Sequence, residues 1–362
     1  MEGTNKERLS NLELLRIISM ILIVSSHYVI HASEFVDGLI VNKYILNFIA
    51  LGGKIGVNCF ILITGFFLVK SEFKLDKLIK LIIEVFMYSI FMLVITMIFT
   101  DRKIGIMELL KSFLPIIYSN YWFVTNYIVL YVLSPFINRL IKNLNQDEYI
   151  KLIIILFIIL SVIPTFMGTN FVYSNLIWFV FLYLLAGYLR IYYKFHLKKQ
   201  SYLIIAVVMY LLIFILSELI LAVSQYIPRL SDNTRFFSDL NKVPAVICSA
   251  CLFLYFKESK LKYNKYINKI ASATFAIYLL HDNYLFKKYL WNSVLMNSNY
   301  YNSKFMILHY IISVILIFVF GIIIEEIRNF VMKETIEKVV ERVTDKIECR
   351  DNQKRKNREE SI

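Results

Sequence analysis

Arg16 and His27 lie eleven residues apart within Asn11–Ala32, NLELLRIISMILIVSSHYVIHA, a largely apolar run of membrane-spanning length. On a helix, ~100° per residue returns both side chains to within ~20° of one face. A rise of about 1.5 Å per residue separates them by ~16 Å along the axis. A lipid-facing stripe has no use for two ionisable groups. Such groups face a protein interior or a water-filled cavity and mark a site. Imidazole accepts or releases a proton near neutrality, which is the chemistry of a general acid or base. A guanidinium is a permanent cation suited to an anionic ligand. The competing reading makes Arg16 a flanking charge and His27 an interfacial ring bonded to a neighbouring helix.

Holding such a pair requires a helix bundle, and the composition supplies one. Of 362 residues, 58% are hydrophobic and only 19% are charged, and the mean hydropathy is +0.61. The apolar residues come in blocks near membrane-spanning length, without the alternating segments of a barrel. The expectation is an all-α polytopic membrane protein of about ten transmembrane helices. They fall roughly at 12–31, 48–69, 78–99, 121–141, 150–166, 173–190, 202–223, 242–256, 270–286 and 305–327. Loops between them are mostly short, no internal repeat is evident, and no intervening stretch could form a soluble domain. A membrane domain over 10–327 is thus followed by a basic tail over 328–362.

Lysine and arginine gather in the N-terminal segment, the even-numbered loops and the C-terminal segment, which places both termini in the cytoplasm. Arg16 then lies near the cytoplasmic mouth of the first span and His27 in its outer half. The net charge of +13 follows from topology and attraction to anionic lipid, so no nucleic-acid partner is invoked. The first span is too long for a short signal core and lacks an A-x-A cleavage site, so it is expected to stay as an anchor. The plasma membrane is the expected location. In the tail, Ile336, Val339, Val340, Val343 and Ile347 form a stripe. This describes an amphipathic helix lying on the inner leaflet or packed against a partner chain. Beyond Cys349 the charged sequence is expected to be disordered. Cys59, Cys248 and Cys251 sit in apolar runs. The Cys248–Cys251 pair has no companion pair, so these cysteines are read as packing residues and no metal site is expected.

The spacing of Arg16 and His27, followed by GGKIGVNCFILITGFFLV (Gly52 to Val69), resembles the membrane acyltransferase-3 family. Further similar pieces are YWFVTNYIVLYVLSP (Tyr121 to Pro135), FLYLLAGYL (Phe181 to Leu189) and FAIYLLH (Phe275 to His281), so the likeness covers roughly residues 10–325. The family implies ten spans and acylation, often acetylation, of cell-surface glycans. It implies His27 as the essential histidine and Arg16 as its partner. An arginine pair that the family commonly carries at the inner end of the third span is Lys77 and Lys80 here. Lysine keeps the charge but loses the planar fork of arginine. Thr64-Gly65-Phe66 stands at the family's S-G-F signature and keeps a hydroxyl, and Glu13 stands where Asp is frequent.

Moving an acyl group from a thioester to a sugar hydroxyl needs a base for the hydroxyl proton and donors for the developing oxyanion. His27 is the natural base, or alternatively a transient acyl carrier. The implied donor is acetyl-CoA or another acyl-CoA from the cytosol, a substrate and not a bound cofactor. Its phosphates would meet Arg16, Lys77 and Lys80. The acceptor would be a lipid-linked or surface glycan, and a tunnel through the membrane would let the acyl arm reach outward. His281 matches His27 in depth and Asp282 follows it; a histidine satisfied by a neighbouring helix is the alternative. Glu34 and Asp37 could position a sugar or be solvated loop charges. Trp122 and Asn126 could stack on and bond to a glycan, or Trp122 could be an interface anchor. Lys54 could act in the site or snorkel to the bilayer edge. Glu218 has no partner that the sequence identifies, and Glu84 is expected to pair with Lys80 one turn away.

A second reading makes the chain a non-catalytic exporter or flippase for a surface polysaccharide or its lipid-linked precursor. Transporters favour broken helices and internal pseudo-symmetry. The 10 Gly and 5 Pro, with no visible repeat, argue against it. Neither the glycan nor the oligomeric state is set by the sequence, and association with a second copy stays open.

Overall fold

The computed structural model describes residues 9–32, 40–170, 172–194 and 197–359. These residues form helices and no strands. In chain order the helices are α1 (Ser10–Ile30), α2 (Ile40–Ala50), α3 (Gly52–Leu68), α4 (Leu75–Phe99), α5 (Ile106–Phe113) and α6 (Trp122–Asn143). They continue with α7 (Gln146–Phe157), α8 (Ile163–Met167), α9 (Asn175–Ile191), α10 (Lys199–Ser224), α11 (Val243–Glu258), α12 (Lys265–Ser272) and α13 (Thr274–His281). The last are α14 (Lys287–Tyr289), α15 (Asn297–Tyr300) and α16 (Met306–Glu359). Among the described residues, eight helical stretches are long and apolar enough to cross a membrane, and α9 is a shorter apolar helix. This is a multi-pass helical membrane protein.

The helix starts follow local rules. Asn145 caps α7 by accepting the Glu148 N–H at 2.9 Å, while the Glu148 carboxylate accepts the Asn145 N–H at 3.0 Å, a capping box. Ser174 opens α9 by accepting the Ile177 N–H, and Asn264 opens α12 by accepting those of Tyr266 and Ile267, without the reciprocal bond.

At the centre of the bundle is α1, packed against α2, α3, α11, α12, α13 and α16. Leu12, Leu15, Val24 and Tyr28 along it are buried. Its approach to α3 is close: a Cβ on Gly56 would collide with the Ser19 carbonyl oxygen. Small residues at such crossings let membrane helices meet backbone to backbone. At Gly321 the same device brings α16 onto Ile277 of α13.

The sequence suggests one continuous span over 270–286, and here the structure differs. The helix breaks at Ala273 and unwinds after His281. Thr274 Oγ1 donates to the Ala271 carbonyl at 2.7 Å across the break. Past His281, the Asn283 side chain accepts the Leu285 N–H at 3.0 Å and donates to the buried Tyr121 hydroxyl at 2.6 Å. These side-chain bonds satisfy backbone that a continuous helix would have paired. The tail also differs, since α16 runs unbroken past 327–328 and on to Glu359. Ile336 and Val340 are buried while Val339, Val343 and Ile347 are exposed. Its Glu, Lys and Arg residues are good helix formers.

Candidate functional site

The C-terminal end of α1 is pinned from several sides, and this fixes His27. Ser26 donates to the Ala50 carbonyl at 2.7 Å. The Tyr28 carbonyl accepts from Asn297 at 2.9 Å and from the Tyr301 hydroxyl at 2.7 Å. His309 Nε2 donates to the Leu295 carbonyl at 2.8 Å, so its Nδ1 is left to accept the Tyr28 hydroxyl at 2.9 Å.

Donor–acceptor balance then sets the proton on His27. His281 Nδ1 lies 2.6 Å from the Ile277 carbonyl oxygen. A carbonyl only accepts, so Nδ1 carries the hydrogen and Nε2 of the neutral ring is an acceptor. His27 Nδ1 lies 2.9 Å from that Nε2 and must donate to it. His27 Nε2 is therefore the ring nitrogen with a free lone pair. His281 is buried with 1% of its surface exposed, so the bond that sets this tautomer is shielded from water.

His31 follows one turn after His27, its ring centroid 4.4 Å from that of His27. Its Nε2 donates to Asp282 Oδ1 at 3.0 Å, and the Lys287 ammonium donates to the same oxygen at 3.2 Å. Asp282 is buried and sits beside His281 in sequence, so one chain segment supports both imidazoles of α1. One donor atom from each of His27, His31 and Asp282 lies within 4.8 Å of the others. This set could hold a metal ion.

A cavity of about 640 Å³ joins the two ends of the stripe on α1. That volume lies in the range of small-ligand sites. At the Arg16 end it is lined by Arg16, Lys80, Glu84, Glu325 and Arg328; at the other by His27, His31, Lys54, Trp122, Asp282 and Lys287. Between them lie Met20, Ile23, Val57, Phe60, Thr64 and Tyr127. Arg16 pairs with Glu13 at 3.2 Å. Arg328 pairs with Glu325 at 2.6 Å and Glu84 at 3.4 Å, and Tyr88 donates to Glu325 at 2.7 Å. The expected Glu84–Lys80 pair is thus replaced by one to Arg328, which reaches Glu84 from α16. The Lys54 ammonium lies 5.0 Å from the Trp122 ring centroid, inside the cavity and not out at a bilayer edge.

The structure therefore gathers His27, Arg16, Lys80 and Trp122 around one cavity and sets His281 against His27. Lys77 is exposed and does not line the cavity; it lies one turn nearer the start of α4 than Lys80. Asn126 is also off the cavity, since Trp122, Phe123 and Tyr127 form the lining of α6. Its amide donates to the Trp122 carbonyl at 2.6 Å. Glu34 and Asp37 lie outside the described residues. Glu218 accepts from Asn47, away from the cavity. His31, Lys287, Glu325 and Arg328 were not singled out from sequence as site residues. For His31 a signal was there, four residues after His27. For Glu325 and Arg328 it was the burial of charge, and for Lys287 its pairing with Asp282, which only the fold reveals.

A model of the acyltransferase-3 family, described as an acyltransferase domain, matches residues 9–326. No curated protein and no solved structure matches the chain.

Proposed function

The chain belongs to the acyltransferase-3 family, and from that premise we propose that it transfers an acyl group, acetyl in the simplest case, from acyl-coenzyme A to a hydroxyl of a cell-surface or lipid-linked glycan. The observation that carries this is the fixed tautomer of His27: Nδ1 bonded to His281 at 2.9 Å, Nε2 free, in the wall of a cavity that also holds Arg16. A neutral imidazole nitrogen with its partner nitrogen fixed is the arrangement of a general base.

In the proposed reaction Nε2 takes the proton of the glycan hydroxyl as its oxygen attacks the thioester carbonyl. The C–O bond forms, the C–S bond breaks, and the proton passes from the imidazolium to the leaving thiolate. The anionic part of the donor is held by Arg16 and Lys80, with the acyl arm extended along the cavity toward His27. Lys77 falls outside this scheme, because it does not line the cavity. Trp122 offers a ring face to the acceptor. The protein would act in the plasma membrane with both termini on the cytoplasmic side, where the donor is found.

The test is mass spectrometry of surface glycans from cells carrying the wild-type protein or His27→Ala. The expected result is loss of ester masses removable by mild alkali, with glycan still reaching the surface. Loss of the surface glycan itself, without an ester difference, would favour the exporter or flippase.

A further inference from the structure

His27 in the last turn of α1 and His31, the residue that caps its C-terminal end in a still helical conformation, are four residues apart, the spacing that puts two imidazoles on one helix face where both can bind one ion. Asp282 brings a buried carboxylate to the same point from the end of α13. The three donor atoms lie within 4.8 Å of one another, and His31 Nε2 is already 3.0 Å from Asp282 Oδ1. In a tetrahedral zinc site, bonds of about 2.0–2.2 Å set ligand atoms roughly 3.3–3.5 Å apart. Small ring rotations therefore close this set. Two outer contacts are in place too, with His281 on Nδ1 of His27, which leaves Nε2 for an ion, and Lys287 on Asp282. Such partners orient metal-bound side chains. All three residues line the cavity, so an ion has a way in.

We infer that His27, His31 and Asp282 form a zinc-type divalent metal site, and that filling it silences the transferase by occupying the nitrogen of His27. The ion takes the place of the hydrogen between His31 Nε2 and Asp282; that hydrogen moves to His31 Nδ1, so the ring stays a neutral ligand, and water completes the fourth position. Two imidazoles select zinc, cobalt, nickel or copper over magnesium and calcium, which prefer all-oxygen sites. The inhibitory half rests on the proposed role of His27; the binding half does not.

The experiment titrates metal-free, full-length protein in detergent with Co2+, whose tetrahedral imidazole sites absorb visible light, and then adds Zn2+. The expected result is one equivalent of Co2+ per chain, its bands abolished by Zn2+. In His31→Gln the amide still donates to Asp282 but supplies no ligand nitrogen. Binding should weaken there by roughly a hundredfold or more, beyond the roughly 10–100-fold typical of losing an outer partner. One equivalent of Zn2+ should also stop acyl transfer by the wild-type protein. Absence of saturable bands, or wild-type affinity in His31→Gln, overturns the site. Transfer that continues at full zinc occupancy overturns the inhibition. If metal-free protein transfers no acyl group, the catalytic reading fails, and the cobalt spectrum still decides the site.

Discussion

His281→Phe tests the tautomer argument directly. The substitution keeps a ring of similar size and removes the Nε2 that accepts from His27 at 2.9 Å. A hydrogen bond of this kind contributes about 0.5–1.5 kcal/mol net. At about 1.4 kcal/mol per tenfold in rate, mere loosening of the His27 ring would slow transfer roughly 2- to 12-fold. If the freed ring instead takes the other tautomer, Nε2 ceases to be a base. The loss then rises toward the roughly 10²–10⁴-fold that general bases supply. The expected outcome is a fall in kcat between about 2-fold and 10⁴-fold. The KM for acyl-coenzyme A should change little, because Arg16 is ~16 Å away along α1. Initial rates of acyl-coenzyme A consumption, in membranes with matched amounts of protein and with envelope glycan as acceptor, give both constants. The double variant with His27→Ala sharpens the test. If His281 acts only through His27, the double variant is no slower than His27→Ala alone. A full wild-type rate for His281→Phe, or effects that multiply in the double variant, would refute the reasoning.

Lys80→Ala should raise the KM for acyl-coenzyme A roughly tenfold, the lower part of the range for a hydrogen bond to a charged group, whereas Lys77→Ala should leave it unchanged; steady-state kinetics on both variants decide whether position on the cavity wall is what matters. Arg328→Met strands Glu84 and Glu325, whose side chains are 15% and 8% exposed, and should cost about 3–5 kcal/mol of stability. Thermal unfolding in detergent would show this as a lowered midpoint, partly restored by adding Glu325→Gln. Gly56→Ala should force α1 away from α3, costing about 1–3 kcal/mol and lowering transfer as well as thermal stability, since α1 carries both Arg16 and His27.

The first helix was legible because its signal is periodic. An arginine and a histidine on one face of an apolar run imply a cavity, and a cavity joins them. The region over 270–286 was not legible, because its break depends on partners far along the chain. Asn283 bonds to Tyr121, and Asp282 bonds to His31 across 251 positions. Hydropathy averages over such contacts and reports a continuous helix. Arg328 was assigned to the tail for a similar reason. Its charge and place after an apolar run read as a flank, while its real neighbours are Glu84 on α4 and Glu325 one turn before it. Lys77 and Lys80 show the limit of transferring a motif. Both positions carry a cation, yet only Lys80 lines the cavity.

The cavity cations fall into two groups, and the division bears on how a ligand would be received. Arg16 is paired with Glu13, Lys287 with Asp282 and Arg328 with two carboxylates. A carboxylate at such distance fixes the geometry of a cation while neutralising its field a few ångströms out. Among the described residues no carboxylate lies within ion-pair distance of Lys54 or Lys80, one at each end of the cavity. They are the cavity cations not held by a direct ion pair, with Asp239 and Asp282 acting on Lys54, and Glu84 on Lys80, only from farther away. An anionic donor entering at the Arg16 end would thus be drawn first by Lys80, a flexible point charge, and then oriented by the guanidinium that Glu13 holds in place. At the far end Lys54, resting on Trp122, lies on the same cavity wall as His27. In the proposed reaction a cation there would favour oxyanion development at the thioester carbonyl, so that attraction and charge stabilisation would fall to different lysines of one cavity.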